Sequence, residues 1–227
     1  MIKKYKLSIN TGFAVNRFNN NEIFIDFVKN SLKLNYIQPT SDWLNMNLPD
    51  RYIFKNVKQL NKVLNKYNVK VNSLFTGAFT RLNHLGHPDK DHQIYWVNWF
   101  KRFIDVGIDL GANHVGSHLG ILSYEDNKKR KKLLQTRIIK NWHLIGEYAS
   151  KKKIKSLIWE PMSISREFGE TLNECNKIHS LLNKKKYKFD LCLDVGHGDI
   201  NSKDKSNYDP YKWLEKFSNE SPVIHIK

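Results

Sequence analysis

Cysteine is scarce in this 227-residue chain: only Cys175 and Cys192 are present, too few for a disulfide framework, and a reducing cytoplasm is the expected setting. Long apolar runs are also missing. No stretch approaches the roughly 18–20 apolar residues that a bilayer span requires, so no membrane association is expected. The basic amino terminus is followed by apolar residues that Lys6 and Asn10 interrupt, and no signal peptide is visible. There is no Walker loop, GxGxxG fingerprint, CxxC pair or nucleophile elbow, which removes the common phosphate-loop, dinucleotide, thiol-redox and serine-hydrolase readings. No Pro/Gly/Ser-rich linker divides the chain, so residues 1–227 read as one domain. With 40% hydrophobic residues, that domain has a packed interior.

The formal net charge is +16, which invites a nucleic-acid reading. Its texture argues against one. Of 38 basic residues only seven are arginine, and the lysines cluster at 128–132, 151–153 and 184–186, on polar faces or ends of expected helices. Duplex readers favour the bidentate fork of Arg, whereas Lys is a solvated point charge. The excess is therefore read as a lysine-rich surface, with a homo-oligomer left open.

Short apolar segments alternate with longer amphipathic ones, the rhythm of βα units. Strands are expected at residues 6–10, 36–38, 69–74, 114–117, 156–159, 189–193 and 223–226. Helices are expected at 22–34, 51–67, 93–110, 130–150, 168–182 and 211–217. Gly111 is placed as a C-terminal stop, and Asp209-Pro210 as an N-cap followed by proline. Seven strands with six intervening helices imply an α/β fold with a parallel sheet, a (β/α)8 TIM barrel. A closed barrel of this kind has eight strands. The expectation is an incomplete barrel, a fragment or a natural truncation, lacking the last helix–strand–helix.

Three expected strands end alike, in an apolar run followed by one metal-competent side chain: Ser156-Leu157-Ile158-Trp159 then Glu160, Leu191-Cys192-Leu193 then Asp194, and Pro222-Val223-Ile224 then His225. Residues at the C-terminal ends of barrel strands face the catalytic mouth. Two carboxylates and an imidazole there suit one divalent ion, Mn2+, Mg2+, Co2+ or Zn2+. For any one of the three alone, a helix cap or a loop hydrogen bond is the simpler reading. His197 follows Asp194 by three residues, and Gly196 and Gly198 allow a turn that folds its imidazole back over the strand end to meet a substrate hydroxyl or a metal; a solvated loop histidine is the alternative. His118, between Gly116 and Gly120, is a weaker candidate for the same mouth. His84 and His87 lie in the loop after strand three, as part of a lid or simply in solvent. Arg166, with Ser165 and the N-terminal amides of the next helix, is either a phosphate cradle or an ordinary capping segment. His92, His143 and His179 are assigned to structure.

At Trp159-Glu160-Pro161-Met162-Ser163, Asp194-Val195-Gly196-His197-Gly198-Asp199 and Val223-Ile224-His225-Ile226-Lys227, the sequence resembles the sugar-phosphate isomerase/epimerase branch of the xylose-isomerase-like barrel superfamily, tetrulose-phosphate epimerases in particular. The resemblance covers essentially the whole chain. It implies that Glu160, Asp194 and His225 are metal ligands, that Glu160 is also a catalytic carboxylate, and that His197 contacts the substrate near the reacting carbon. The implied activity is epimerisation or isomerisation of a sugar or sugar phosphate through an enediolate, formed by removing the proton beside a ketose carbonyl. It also implies a second Glu on an eighth strand and an Arg a few residues beyond His225. Neither occurs in these residues, so Met1 to Lys227 alone is expected to be inactive or severely impaired as an epimerase. Two other readings stand beside this one. An apurinic endonuclease-like zinc enzyme of DNA repair shares the barrel and the Asp-x-x-His element, but needs three zincs and an Asn-Asp after His225, where this chain has Ile226-Lys227. The other is an inactive barrel remnant.

Overall fold

In the computed structural model the protein is described over residues 5–82 and 84–226, so Met1 to Lys4, Asn83 of the histidine-bearing loop and Lys227 of the last motif lie outside the described residues. The strands are β1 (Ile9–Asn10), β2 (Tyr36–Gln38), β3 (Lys70–Val71), β4 (Ser73–Phe75), β5 (His114–His118), β6 (Ser156–Glu160), β7 (Phe189–Asp194) and β8 (Val223–His225). The helices are α1 (Asn21–Asp26), α2 (Asp50–Tyr67), α3 (Lys90–Asp109), α4 (Tyr124–Lys129), α5 (Lys131–Ser150), α6 (Leu172–Leu182) and α7 (Pro210–Phe217). Every strand pair is parallel, in the orders β1-β2-β3 and β4-β5-β6-β7-β8. This is the helix-covered parallel wall of an incomplete TIM barrel.

The expected third strand, 69–74, is divided at Asn72, which is why eight strands are found where the sequence suggested seven. Asn72 turns its carbonyl to the backbone amide of Asn113, 2.9 Å away, and its Oδ1 accepts from Asn113 Nδ2 at 3.1 Å. The strand thereby exchanges its partner on β2 for one on β5. The two halves remain one position in the wall, because Phe75 still bridges Thr40 and its amide donates to Pro39 O at 3.1 Å.

Helix starts follow local capping chemistry. Asp209 accepts from Tyr211 N ahead of Pro210, as the sequence suggested, and Leu110 with Gly111 at φ +75° closes α3. Four expectations move. The strand expected at 6–10 is paired only at Ile9–Asn10, and the helix expected from 93 begins at Lys90 behind the Asp89 cap. The helix expected at 168–182 begins at Leu172, because Phe168 and Gly169 hold φ values of +71° and +80°, which no right-handed helix accepts; Thr171 then caps Glu174 N. The first helix ends at Asp26 and continues as a π-helical turn over Phe27–Ser31. The short α4, capped by Ser123, was not expected from the sequence.

Two apolar layers result. Between strands and helices, Trp96, Trp99, Phe100 and Phe103 of α3 are buried, with Phe100 at 4.7 Å ring separation from Trp142 of α5. A second cluster of Phe75, Ile158 and Cys192, with Val223 against it, draws one residue from each of four strands. Ile158 and Cys192 precede Glu160 and Asp194 by two residues, and the period of two along a strand stacks the polar pair above the apolar one. Gly116 is fixed by this stacking: an added Cβ would stand 2.6 Å from Ile158 O and 2.8 Å from Phe75 Cε2. Gly116→Ala is therefore expected to lower unfolding free energy by about 1–3 kcal/mol, read as a shifted urea midpoint at unchanged slope. An unshifted midpoint would show that the inner layer yields.

Candidate metal and active site

Parallel register decides the site. His118 ends β5, Glu160 ends β6, Asp194 ends β7 and His225 ends β8, with His118 paired to Glu160 and Asp194 to His225. Four consecutive strand ends thus carry four polar side chains at one edge of the sheet, from segments far apart in sequence; because Trp159 pairs with Leu191, Asp194 and His225 extend two residues beyond Glu160 in register.

Glu160 is the hub. Only 8% exposed, it sets Oε1 3.1 Å from His225 Nδ1 and 3.8 Å from His197 Nδ1. His197 also places Nε2 3.6 Å from Asp194 Oδ2. Its position follows from the turn after β7, where Gly196 N donates to Asp194 Oδ1 at 2.8 Å and His197 N to Asp194 O at 3.0 Å. Gly198 (φ +125°) passes so close to the chain that a Cβ would stand 2.3 Å from Asn207 O. His197 Nδ1–H then donates to Pro161 O at 3.1 Å, so that in a neutral ring Nε2 is the acceptor nitrogen.

Ligand-type atoms fall in two groups that share Glu160: Glu160, Asp194 and His197 in one, and Glu160, Cys192 and His225 in the other, each within 4.8 Å. Glu160 therefore adjoins both Asp194 and His225, although no single compact group contains all three among the described residues. Cys192 Sγ lies 3.5 Å from His225 Nε2 and 3.6 Å from Nδ1. Burial pushes its thiol pKa far up, and the Glu160 and Asp194 charges push in the same direction, which favours the protonated thiol when no cation is bound. What remains is two carboxylates and two imidazoles, a donor set that fits a divalent cation of intermediate hardness.

The other candidates are placed differently. The His118 ring lies 5.7 Å from that of His84 rather than against Glu160. His84 is fully buried against Trp96 and Phe100, so it is a core residue, neither lid nor solvated loop. His87 stacks on His92 at 3.9 Å. Arg166 Nη1 donates to Leu122 O at 3.4 Å. At the start of α6, Leu172 N donates to Asn207 Oδ1 and Glu174 N to Thr171 Oγ1, while Ser165 Oγ is held by Lys131 Nζ. That segment behaves as an ordinary cap. His143 and His179 hold structural bonds, the latter accepting from Trp159 Nε1.

Sequence reasoning passed over two residues at the centre. Gln38 sets Oε1 2.8 Å from His225 Nε2, and Cys192 touches the same ring. Both carried a signal: Gln38 ends β2 as Glu160 ends β6, and Cys192 lies two residues before Asp194 on the same strand face.

Residues 30–227 match the family described as xylose isomerase-like TIM barrel. The chain belongs to this family. Within it, the chain is 37% identical over 226 residues to the D-erythrulose 1-phosphate 3-epimerase of Brucella abortus (strain 2308), covering 97% of this chain and 73% of that protein. The fold matches a Rhodospirillum rubrum protein named for xylose isomerase at TM-score 0.89 and 23% identity, over 99% of this chain and 77% of the other. It also matches the D-psicose 3-epimerase of Clostridium cellulolyticum H10, solved with D-tagatose, at TM-score 0.73 and 13% identity, over 98% of this chain and 73% of the other. Among the described residues no helix is long and apolar enough to cross a membrane.

Two buried histidines give the fold a pH signature. Burial, with the Arg81 charge acting the same way, lowers the His118 pKa from 6.5 to about 4, and burial lowers His84 well below 6.5. The unfolded chain then binds more protons than the folded one between those values. Stability is full above pH 6.5 and is lost as pH falls towards 4, by on the order of 3 kcal/mol for His118 alone. Urea midpoints at about pH 7 and pH 4.5 are expected to diverge less in His118→Asn than in the parent; equal divergence would contradict the assignment.

Proposed function

We propose that this chain is a divalent-metal-dependent epimerase or isomerase of a ketose or ketose phosphate, acting by proton abstraction next to the carbonyl. The observation that carries the reading is Glu160, a nearly buried carboxylate at the end of β6 with one oxygen facing His225 and His197. The relationship to an erythrulose-phosphate 3-epimerase at 37% identity supports an isomerase-type activity on that substrate class.

Glu160, Asp194 and His225 are proposed to hold the cation, one of Mn2+, Mg2+, Co2+ or Zn2+. When bound, such an ion supplies Lewis-acid polarisation of the ketose carbonyl, which acidifies the neighbouring C–H. Glu160 Oε1 is occupied by its imidazole neighbours, and Oε2 stands outside those contacts. Oε2 is the proposed acceptor of the carbon-bound proton. The surroundings of Glu160, screened from bulk water, preserve the driving force for that transfer. His197 is locked by Pro161 O with its Nε2 acceptor available to a substrate hydroxyl beside the reacting carbon. His197, which adjoins Glu160, is the proposed substrate contact.

Exchange of the substrate proton with solvent needs only one base, so it reads Glu160 directly. With Mn2+ in D2O, deuterium is expected to enter erythrulose phosphate or a pentulose phosphate at the carbon beside the carbonyl. Glu160→Gln is expected to slow this by about 100- to 10,000-fold. Failure of any tetrulose or pentulose phosphate to exchange while metal is bound would overturn the proposal.

A further inference from the structure

The hydrogen bonds that converge on His225 have a polarity that can be traced to its origin. Gly12 N, a backbone amide that can only donate, meets the Asn10 side chain at 2.8 Å, so the Asn10 atom there is Oδ1. The other terminus of Asn10 is then Nδ2, a donor, and it meets Gln38 at 2.7 Å; the Gln38 atom there is Oε1. Gln38 Nε2 is left to donate to Ser73 Oγ at 3.0 Å. The same Oε1 lies 2.8 Å from His225 Nε2, which must therefore carry a proton. Phe75, edge-on at 5.3 Å, fixes the plane of the ring. His225 Nδ1 is the nitrogen left to face Glu160 Oε1 at 3.1 Å.

We propose that Gln38, oriented by Asn10, is a positioning residue that fixes the proton of His225 on Nε2 and so turns the Nδ1 lone pair towards the cation site. The proposal rests on the reading of His225 as a cation ligand given above. In a neutral ring so oriented, Nδ1 and Glu160 Oε1 are two acceptors in contact, a repulsion that a shared cation relieves. A partner on the far nitrogen that sets the tautomer of a ligating histidine is a general device of metal sites. Here it comes from β1 and β2, the opposite end of the strand order from β8.

The direct test is nitrogen-15 NMR of the His225 ring. Nε2 is expected to carry the proton in metal-free and Zn2+-loaded protein alike. Asn10→Asp keeps an acceptor towards Gly12 but turns a second acceptor towards Gln38, whose amide must then invert and present Nε2 to His225. The His225 proton is expected to move to Nδ1, and Zn2+ affinity to fall by about 10- to 100-fold. Gln38→Glu, with acceptors on both atoms, is expected to keep the parental tautomer. Gln38→Leu, which removes the acceptor without adding charge, is expected to lower affinity in the same direction as Asn10→Asp. A bare Nε2 in the parent protein, or unchanged tautomer and affinity in Asn10→Asp, would overturn the proposal. Because the tautomer is read without sugar, a protonated Nε2 on a zinc-binding His225 in a protein that exchanges no ketose would sink the epimerase reading and leave this one intact.

Discussion

One carboxylate oxygen holds the site together: Glu160 Oε1, 3.1 Å from one imidazole and 3.8 Å from another, in a position almost closed to water. A carboxylate so placed loses hydration and is tolerable only with compensating partners. In the proposed reading a cation shared with Asp194 of β7 and His225 of β8 is that partner. The parallel ladder sets Asp194 opposite His225 and runs β6 beside β7, so that Glu160, two residues lower in register, has ligand atoms near both. The register of three strands is thus the physical condition of the chemistry.

Below that level the same strands turn apolar. Phe75, Ile158, Cys192 and Val223 form a dry floor two residues beneath the polar ends, and burial favours the neutral Cys192 thiol although His225 touches it. The Asn10–Gln38–His225 chain extends the logic across the sheet, since a short β1 and β2 contribute oriented hydrogen bonds where they contribute little hydrophobic surface.

The wall of the barrel was legible from the alternation of apolar and amphipathic segments, and β6, β7 and β8 announced themselves twice, by an apolar run and by the polar residue that stops it. Glu160, Asp194 and His225 were found this way, and each proves to be the last residue of its strand. Gln38 obeys the same rule and was missed because a neutral amide carries no metal or acid–base signal by itself; its meaning depends on Asn10 and His225, distant in sequence. The break at Asn72 was hidden because a partner exchange between two flanking strands leaves the apolar alternation intact. Helix α4 was hidden because six residues are too few for a 3.6-residue period to show. His84 was misread for a related reason: a histidine beside glycine and proline looks like loop chemistry, yet Trp96, Phe100 and the His118 ring enclose it. Burial of that kind is a property of packing, which local sequence does not encode.

The account stands on Glu160, Asp194 and His225 sharing one cation. Anomalous diffraction at the zinc edge from crystals grown with Zn2+ tests this most directly. The expected result is one peak at coordination distance, about 2.0–2.2 Å, from an oxygen of Glu160, an oxygen of Asp194 and Nδ1 of His225. A map with no peak at the ends of β6, β7 and β8, or with the ion held by other residues, would contradict it.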